Sequence, residues 1–275
     1  MANSSEFDNL PLKTELKNGD AEDVEKFGSK HEDELEQENV NSGTDASYSD
    51  DDIEEEEEKV DIPTDSIVCK KFPLAHKWDF YFLKDDKDLD WLGRLTMIHT
   101  FDELGAFLAF LNEARPPSSL KTGSDYNLFK YKIKPLWEEK ENCNGGRAVV
   151  TLEKTANTEA LDLMWQELMI ALVTEQFTGN MDAICGAVCN VRNKGSKISI
   201  WTRSANDEES NKAIAKFMVE TMLRAPGVDS TRRYFDSVRF EEHKQASSKQ
   251  SSQLPPKILV YTKDILSTWE SPVRN

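Results

Sequence analysis

Short runs of alternating apolar residues recur from residue 76 to residue 262, and they outnumber the helical stretches between them. HKWDFYFL (76–83) sets Trp78, Phe80 and Phe82 against Lys77 and Asp79, the period-two pattern of a strand with one buried face. RLTMIH, RAVVTLE, AICGAVCNV, KISIWT and PKILVYT continue the series. Three helical patterns fall among them. FDELGAFLAFLNEA (101–114) puts Phe101, Leu104, Leu108 and Leu111 on one stripe, and EALDLMWQELMIALVTE (159–175) does so with Leu161, Met164, Leu168 and Leu172. NDEESNKAIAKFMVETML (206–223) opens on Asn206 as an N-cap, with Asp207, Glu208 and Glu209 at the positive end of the helix dipole. No strand–helix–strand repeat runs through the chain. The pattern predicts an α+β fold, a mainly antiparallel sheet with helices on one face and the other face free for loops and a ligand.

Charge divides the chain unevenly. Residues 1–60 hold 21 Asp and Glu against five Lys, so nearly all of the −17 formal charge sits there and the remainder is close to neutral. That matters for function, because the whole-chain charge would wrongly argue against an anionic ligand. The acidic segment is poor in aromatics and ends in DDIEEEEEK, so residues 1–67 are expected to be a disordered tail. Residues 68–275 are expected to form the folded domain. Within it, 224–254 is rich in Arg, Ser and Gln and reads as a long surface insertion.

The N-terminus lacks a basic start and an apolar run, and the longest apolar stretch, near LMIALV, is too short to span a bilayer. No membrane association is expected. The four cysteines, Cys69, Cys143, Cys185 and Cys189, include no C-x-x-C pair. Cys185 and Cys189 read as small buried thiols in a strand, and no metal or other cofactor is called for. A reducing compartment follows, and cytoplasmic localisation with a nuclear pool as its variant.

KIKPLWEEKENCNGG (132–146) places Trp137 beside carboxylates in a polar, glycine-ended run, and KDDKDLDWLGR places Trp91 in an acidic turn. Each alone is an ordinary half-buried hinge residue. Together they can act as two plates around a planar ring, each base–aromatic stack being worth roughly 1–3 kcal/mol. A cationic ring adds about 0.5–2 kcal/mol. Glu138 follows Trp137, and its two oxygens can accept the N1–H and exocyclic amine of guanine, a donor pair adenine does not present. VRNKGSKISIWT (191–202) clusters Arg192, Lys194 and Lys197 across a turn, and Arg147 follows Gly145-Gly146. The plain reading is a basic hairpin end; beside two plates and a guanine reader it becomes a phosphate clamp.

FPLAHKWDFYFLKDDKDLDW, GSDYNLFKYKIKPLWEEKENCNGGR and CGAVCNVRNKGSKISIWT resemble the eukaryotic translation initiation factor 4E family, the messenger RNA cap-binding proteins. The resemblance runs from about Phe72 to Thr221 and resumes at Pro255. It implies a curved antiparallel sheet of about eight strands with three helices on its convex face and a cap slot on its concave face. It implies that Trp91 and Trp137 stack 7-methylguanine, Glu138 pairs with its edge and Trp201 lies near the N7 methyl group. Arg192 and Lys197 become triphosphate contacts, with Arg147 and Lys194 in support, and Trp78 a core tryptophan.

The implied partners are capped messenger RNA and, on the helical back surface, a factor 4G-like scaffold or a 4E-binding inhibitor protein. That surface is implied to include Phe72, Pro73, Leu104, Leu108, Gln166, Glu167 and Ile170. Here the chain departs from the family pattern: Phe72 replaces a His, Leu108 a Trp and Gln166 a Leu, while Tyr81 and Ala148 replace tryptophans elsewhere. The leading expectation is a cap-binding protein that recruits messages for translation initiation. The alternative is a cap-binding repressor with a non-standard partner. An enzyme is disfavoured, because the histidines are scattered and no H-E-x-x-H, G-x-S-x-G or Walker A motif appears.

Overall fold

Trp78 and Phe80 are fully enclosed, and they anchor the inner face of a strand, β1 (Pro73–Leu83), at one side of an antiparallel sheet. The computed structural model describes residues 71–153, 158–246 and 256–268. The expected acidic tail lies outside them. After β1 come the one-turn helix α1 (Trp91–Arg94), β2 (Leu95–Glu103), α2 (Leu104–Glu113), β3 (Asp125–Lys130) and β4 (Gly146–Thr151). Then follow α3 (Thr158–Val173), β5 (Ile184–Asn190), β6 (Lys197–Thr202), α4 (Glu208–Leu223), β7 (Ser237–Glu242) and β8 (Ile258–Tyr261). Two further one-turn helices, α5 (His243–Ala246) and α6 (Thr262–Leu266), follow β7 and β8. The strands form one curved eight-stranded sheet in the order β2-β1-β3-β5-β6-β4-β7-β8, every neighbouring pair antiparallel.

Strand alternation splits the sheet's side chains between two apolar clusters. Leu128, Ala187, Ile198, Ile200, Ala148, Val150, Val238 and Phe240 join Met164, Leu168, Leu172, Met218 and Met222 of α3 and α4 in the main core. The opposite face carries a smaller cluster of Tyr81, Phe129, Ile133, Cys185, Val188 and Trp201, with Trp137 packed on it. Helices therefore cover one face and leave the other for a site. Truncating an enclosed aromatic such as Trp78 to Ala should cost roughly 3–5 kcal/mol.

Three sequence readings need correction. Phe101 belongs to β2, and α2 turns Phe107 and Phe110 inward beside the expected Leu104 and Leu111 while leaving Leu108 46% exposed, so the inward stripe of that helix is shifted. The cap of α4 is Asp207, whose Oδ1 accepts the Ser210 N–H at 3.1 Å, one residue later than Asn206. The stretch expected as a surface insertion contains β7, paired with β4 and β8, with Tyr234, Phe235, Val238 and Phe240 buried. Four large apolar side chains supply enough buried surface to draw that segment into the sheet. Its remainder, 247–254, lies outside the described residues.

Candidate nucleic-acid interface

A cavity of about 1140 Å³ opens on the face away from α3 and α4, the helix-free face apart from the single turn α1 at its rim. All eight residues singled out from the sequence for the ligand line it: Trp91, Trp137, Glu138, Arg147, Arg192, Lys194, Lys197 and Trp201. Local chemistry explains how each wall is held.

Trp137 and Glu138 sit on the 131–145 connection, which is braced from within. Lys132 adopts a left-handed backbone (φ +65°), unusual for a residue with a Cβ. Asp79 holds it there, its Oδ2 accepting the Lys132 N–H at 2.9 Å while Oδ1 accepts the Thr100 hydroxyl at 2.6 Å. Asn142 is wholly enclosed, and its amide donates to the carbonyls of Lys134 and Leu136 at 2.9 and 2.8 Å. These bonds fix the chain on both sides of Pro135, leaving Trp137 half-buried on the second cluster and Glu138 exposed.

The facing plate is held differently. Trp91 is 39% exposed at the first position of α1, a helix rather than the open turn expected, and α1 has no buried residue. Asp90 caps it, Oδ1 accepting the Gly93 N–H at 2.7 Å, and Arg94 at its last position ties it to β1's end, Nε donating to the Lys84 carbonyl at 2.8 Å.

The cationic wall comes from β4, β5 and β6. Gly145 brings β4 hard against β6: a Cβ there would lie 1.7 Å from the Thr202 carbonyl oxygen, so no other residue fits. Gly195 turns the β5–β6 hairpin at φ +120°. Two of the four cations are already paired. Arg147 donates through Nε and Nη2 to Glu241 Oε2 at 3.2 and 2.9 Å, and Arg192 grips Asp125 through both terminal nitrogens at 2.5 and 3.1 Å. Arg192 also donates to the carbonyls of Ser124 and Val191 at 3.2 and 2.9 Å. Lys197 makes no ion pair among the described residues, and its pKa is held below the ordinary lysine value by burial and then by the Arg147 charge, with Glu241 opposing. An ammonium in that state gains most from an arriving anion.

Trp201 is buried at the cavity floor, edge-to-face with Phe129 at 5.4 Å and against His243 at 4.2 Å between ring centroids. Sequence reasoning missed Asn127, a buried lining residue whose amide nitrogen has no hydrogen-bond partner among the described residues, together with Asp125 and His243. Nothing in the sequence pattern points to them, since each acts through residues distant in the chain. Cys185 and Cys189 are buried as expected, and burial pushes the Cys185 thiol up to about 11.

The other face carries the expected partner residues. Phe72, Pro73, Leu108 and Gln166 are exposed, and Leu104, Glu167 and Ile170 half-buried. Phe72 and Leu104 are tied by a 2.9 Å backbone bond, Leu104 N–H to Phe72 carbonyl. The two sets of residues therefore lie on opposite faces of one sheet.

Comparison with known proteins agrees with this geometry. The sequence pattern of the family described as Eukaryotic initiation factor 4E matches residues 73–257, including the β7 segment. Eukaryotic translation initiation factor 4E-1 of Caenorhabditis elegans is 39% identical over 201 residues, spanning 73% of this chain and 94% of the relative. The structure of Ascaris suum eIF4E-3 with m2,2,7G cap superposes with a TM-score of 0.61 at 36% identity, over 70% of this chain and 99% of that one. C. elegans eIF4E-3 in complex with the 4E-binding protein Mextli gives a TM-score of 0.61 at 36% identity, over 70% and 100%. By sequence and by fold, this chain belongs to the eukaryotic initiation factor 4E family.

Proposed function

We propose that this protein binds the 7-methylguanosine cap of messenger RNA and recruits the message for translation initiation through a protein partner on its helical face. The observation that carries this is the convergence of Trp91, Trp137, Glu138, Trp201 and four cations on one cavity. Trp91 and Trp137 stack the methylated base, whose positive charge adds a cation–π term. Glu138, exposed and without an ion pair among the described residues, accepts the guanine N1–H and amine. Lys197, Arg192 and Lys194 face the triphosphate, with Arg147 held beside them by Glu241. Solved relatives in complex with cap, Mextli and 4E-BP support both halves of the reading.

The reading contains no chemical step: the cap is held and released unchanged. It places the protein in the cytoplasm, where messages are translated. Titrating the protein with cap analogues tests the reading directly. The 7-methylated form should quench tryptophan fluorescence at much lower concentration than the unmethylated form, and labelled cap should be recovered intact. Equal affinity for the two forms would sink the proposal.

A second reading, a cap-binding repressor with a non-standard partner, is favoured by one observation. Leu108 stands 46% exposed on α2 where the family pattern has a tryptophan, so the partner surface lacks its large aromatic. Co-purifying partners on cap resin would separate the two: a scaffold supports initiation, and an inhibitor alone supports repression.

A further inference from the structure

The cationic wall of the cavity does not stop at β4. On the helix-free face, Val149 of β4 stands opposite Arg239 of β7, Arg239 stands opposite Leu259 of β8, and Ser237 opposite Tyr261. Alternation puts Lys197, Arg147, Arg239, Leu259 and Tyr261 on that one face, while Val238, Phe240 and Ile258 turn into the core. Arg239 and Tyr261 are diagonal neighbours across the β7–β8 pair, about 7–8 Å apart at the backbone. From β6 to β8 the strip spans about 14 Å, three strand spacings.

Its members have little to do within the fold. Among the described residues, Arg239 Nε is buried with no hydrogen-bond partner, and its ion-pair oxygen, Glu241 Oε1, is 3.9 Å away, beyond hydrogen-bond length. The other Glu241 oxygen is occupied by Arg147. Tyr261 is 45% exposed and Leu259 41%, both large apolar surfaces on an edge strand, and the Lys263 ammonium lies 5.4 Å from the Tyr261 ring centroid. A basic side chain with unmet hydrogen-bonding capacity beside an exposed aromatic ring suits single-stranded nucleic acid, which offers alternating phosphates and π-faces.

We propose that β7 and β8 continue the phosphate wall as a track for the RNA that follows the cap, with Arg239 taking a backbone phosphate and Tyr261 stacking a base. This rests on the cap reading above and extends it from the cap to the message. Neither a phosphate contact at Arg239 nor a stack on Tyr261 reads a base edge, so these two grip RNA without regard to sequence.

The test uses the full chain and two ligands, a 7-methylguanosine triphosphate and a short capped RNA of the same cap chemistry. Wild-type protein should bind the capped RNA more tightly than the mononucleotide. Arg239→Ala and Tyr261→Ala should each weaken capped RNA about fivefold or more, in line with loss of one stack or one phosphate contact, while mononucleotide affinity stays unchanged and certifies the fold. Tyr261→Phe should retain wild-type affinity. Arg239→Ala should also shallow the salt dependence of RNA binding by about 0.7 in the log–log slope. Equal wild-type affinity for the two ligands, or capped RNA bound normally by both alanine variants, overturns the track while leaving the cap site standing. A wild-type protein that ignores the mononucleotide overturns the cap reading and the track together.

Discussion

Arg192 and Asp125 form a two-pronged ion pair, guanidinium to carboxylate at 2.5 and 3.1 Å, on the wall where triphosphate is proposed to lie. Asp125 is only 8% exposed, so this pair serves the fold as well as the ligand. Lys197 is half-buried and makes no ion pair among the described residues, so its proposed role is with the ligand and not the fold.

Substitutions at the two positions should therefore part company. Lys197→Ala should weaken triphosphate caps about tenfold, consistent with the 1.5–3 kcal/mol of a charge-assisted hydrogen bond, and leave the melting temperature unchanged. Arg192→Ala should lower both cap affinity and stability, because removing one partner strands a buried carboxylate at a cost of roughly 3–5 kcal/mol. Calorimetry and thermal melts on the two proteins decide it. Equal melting temperatures would show that the pair contributes nothing to the fold.

The guanine edge gives a sharper contrast. Glu138→Gln turns one acceptor into a donor facing a guanine donor, so cap affinity should fall at least about tenfold. Glu139→Gln, its chain neighbour, should bind like wild type. Trp137→Ala should lose most of the methyl-dependent affinity. Fluorescence titration of the two Gln variants checks the assignment, and matching curves would remove Glu138 from it.

The helical face should respond independently. Leu108→Trp should strengthen binding of a Tyr-x-x-x-x-Leu-type peptide helix, since central aromatics are interface hot spots worth about 2 kcal/mol or more. Cap affinity should not move, because the sites occupy opposite faces of the sheet. Tight wild-type peptide binding that the substitution leaves unimproved would show the leucine to be neutral.

Acid should find His243. Among the described residues both its ring nitrogens lack hydrogen-bond partners, and burial first, then the Arg147 charge, depresses its pKa to about 3. The unfolded chain takes up a proton near the ordinary value of about 6.5 and the folded chain does not. Stability attributable to this group is thus constant above about pH 6.5 and falls as pH drops towards 3, by roughly 1.4 kcal/mol per pH unit at the steepest. Denaturant midpoints of His243→Phe, measured from pH 7 to pH 4, should decline less steeply than those of wild type. Parallel declines would mean that the imidazole is protonated in place.

Much of this was legible in the chain and some was not, for physical reasons. Period-two alternation marks a strand only where one face is buried and the other wet. β3 has all six residues buried, and DYNLFK alternates only from Asp125 to Leu128 before Phe129, packed on the other face, breaks the pattern. β7 does alternate, Val238 and Phe240 against Arg239 and Glu241, but over only two core residues inside a stretch rich in Arg, Ser and Gln. The ligand-facing side chains could be named because stacking, edge recognition and phosphate binding each demand a residue type. Their supports could not. Glu241 is 94 positions from Arg147 and Asp125 is 67 from Arg192, and only the sheet register brings them together.

The two tryptophan walls are unequal in mechanical terms. Trp137 is seated on an apolar cluster and braced by Asp79 and Asn142, like the fixed jaw of a vice. Trp91 rides a single helical turn with no buried residue, capped by Asp90 and tied back through Arg94, and it is the less firmly seated jaw. Any ordering cost of closing on a cap should then fall more on residues 84–94 than on 131–145, so loosening the Asp90 cap should shorten cap residence. Stopped-flow dissociation from Asp90→Ala protein should be faster than from wild type, and an unchanged rate would show that both jaws are equally fixed.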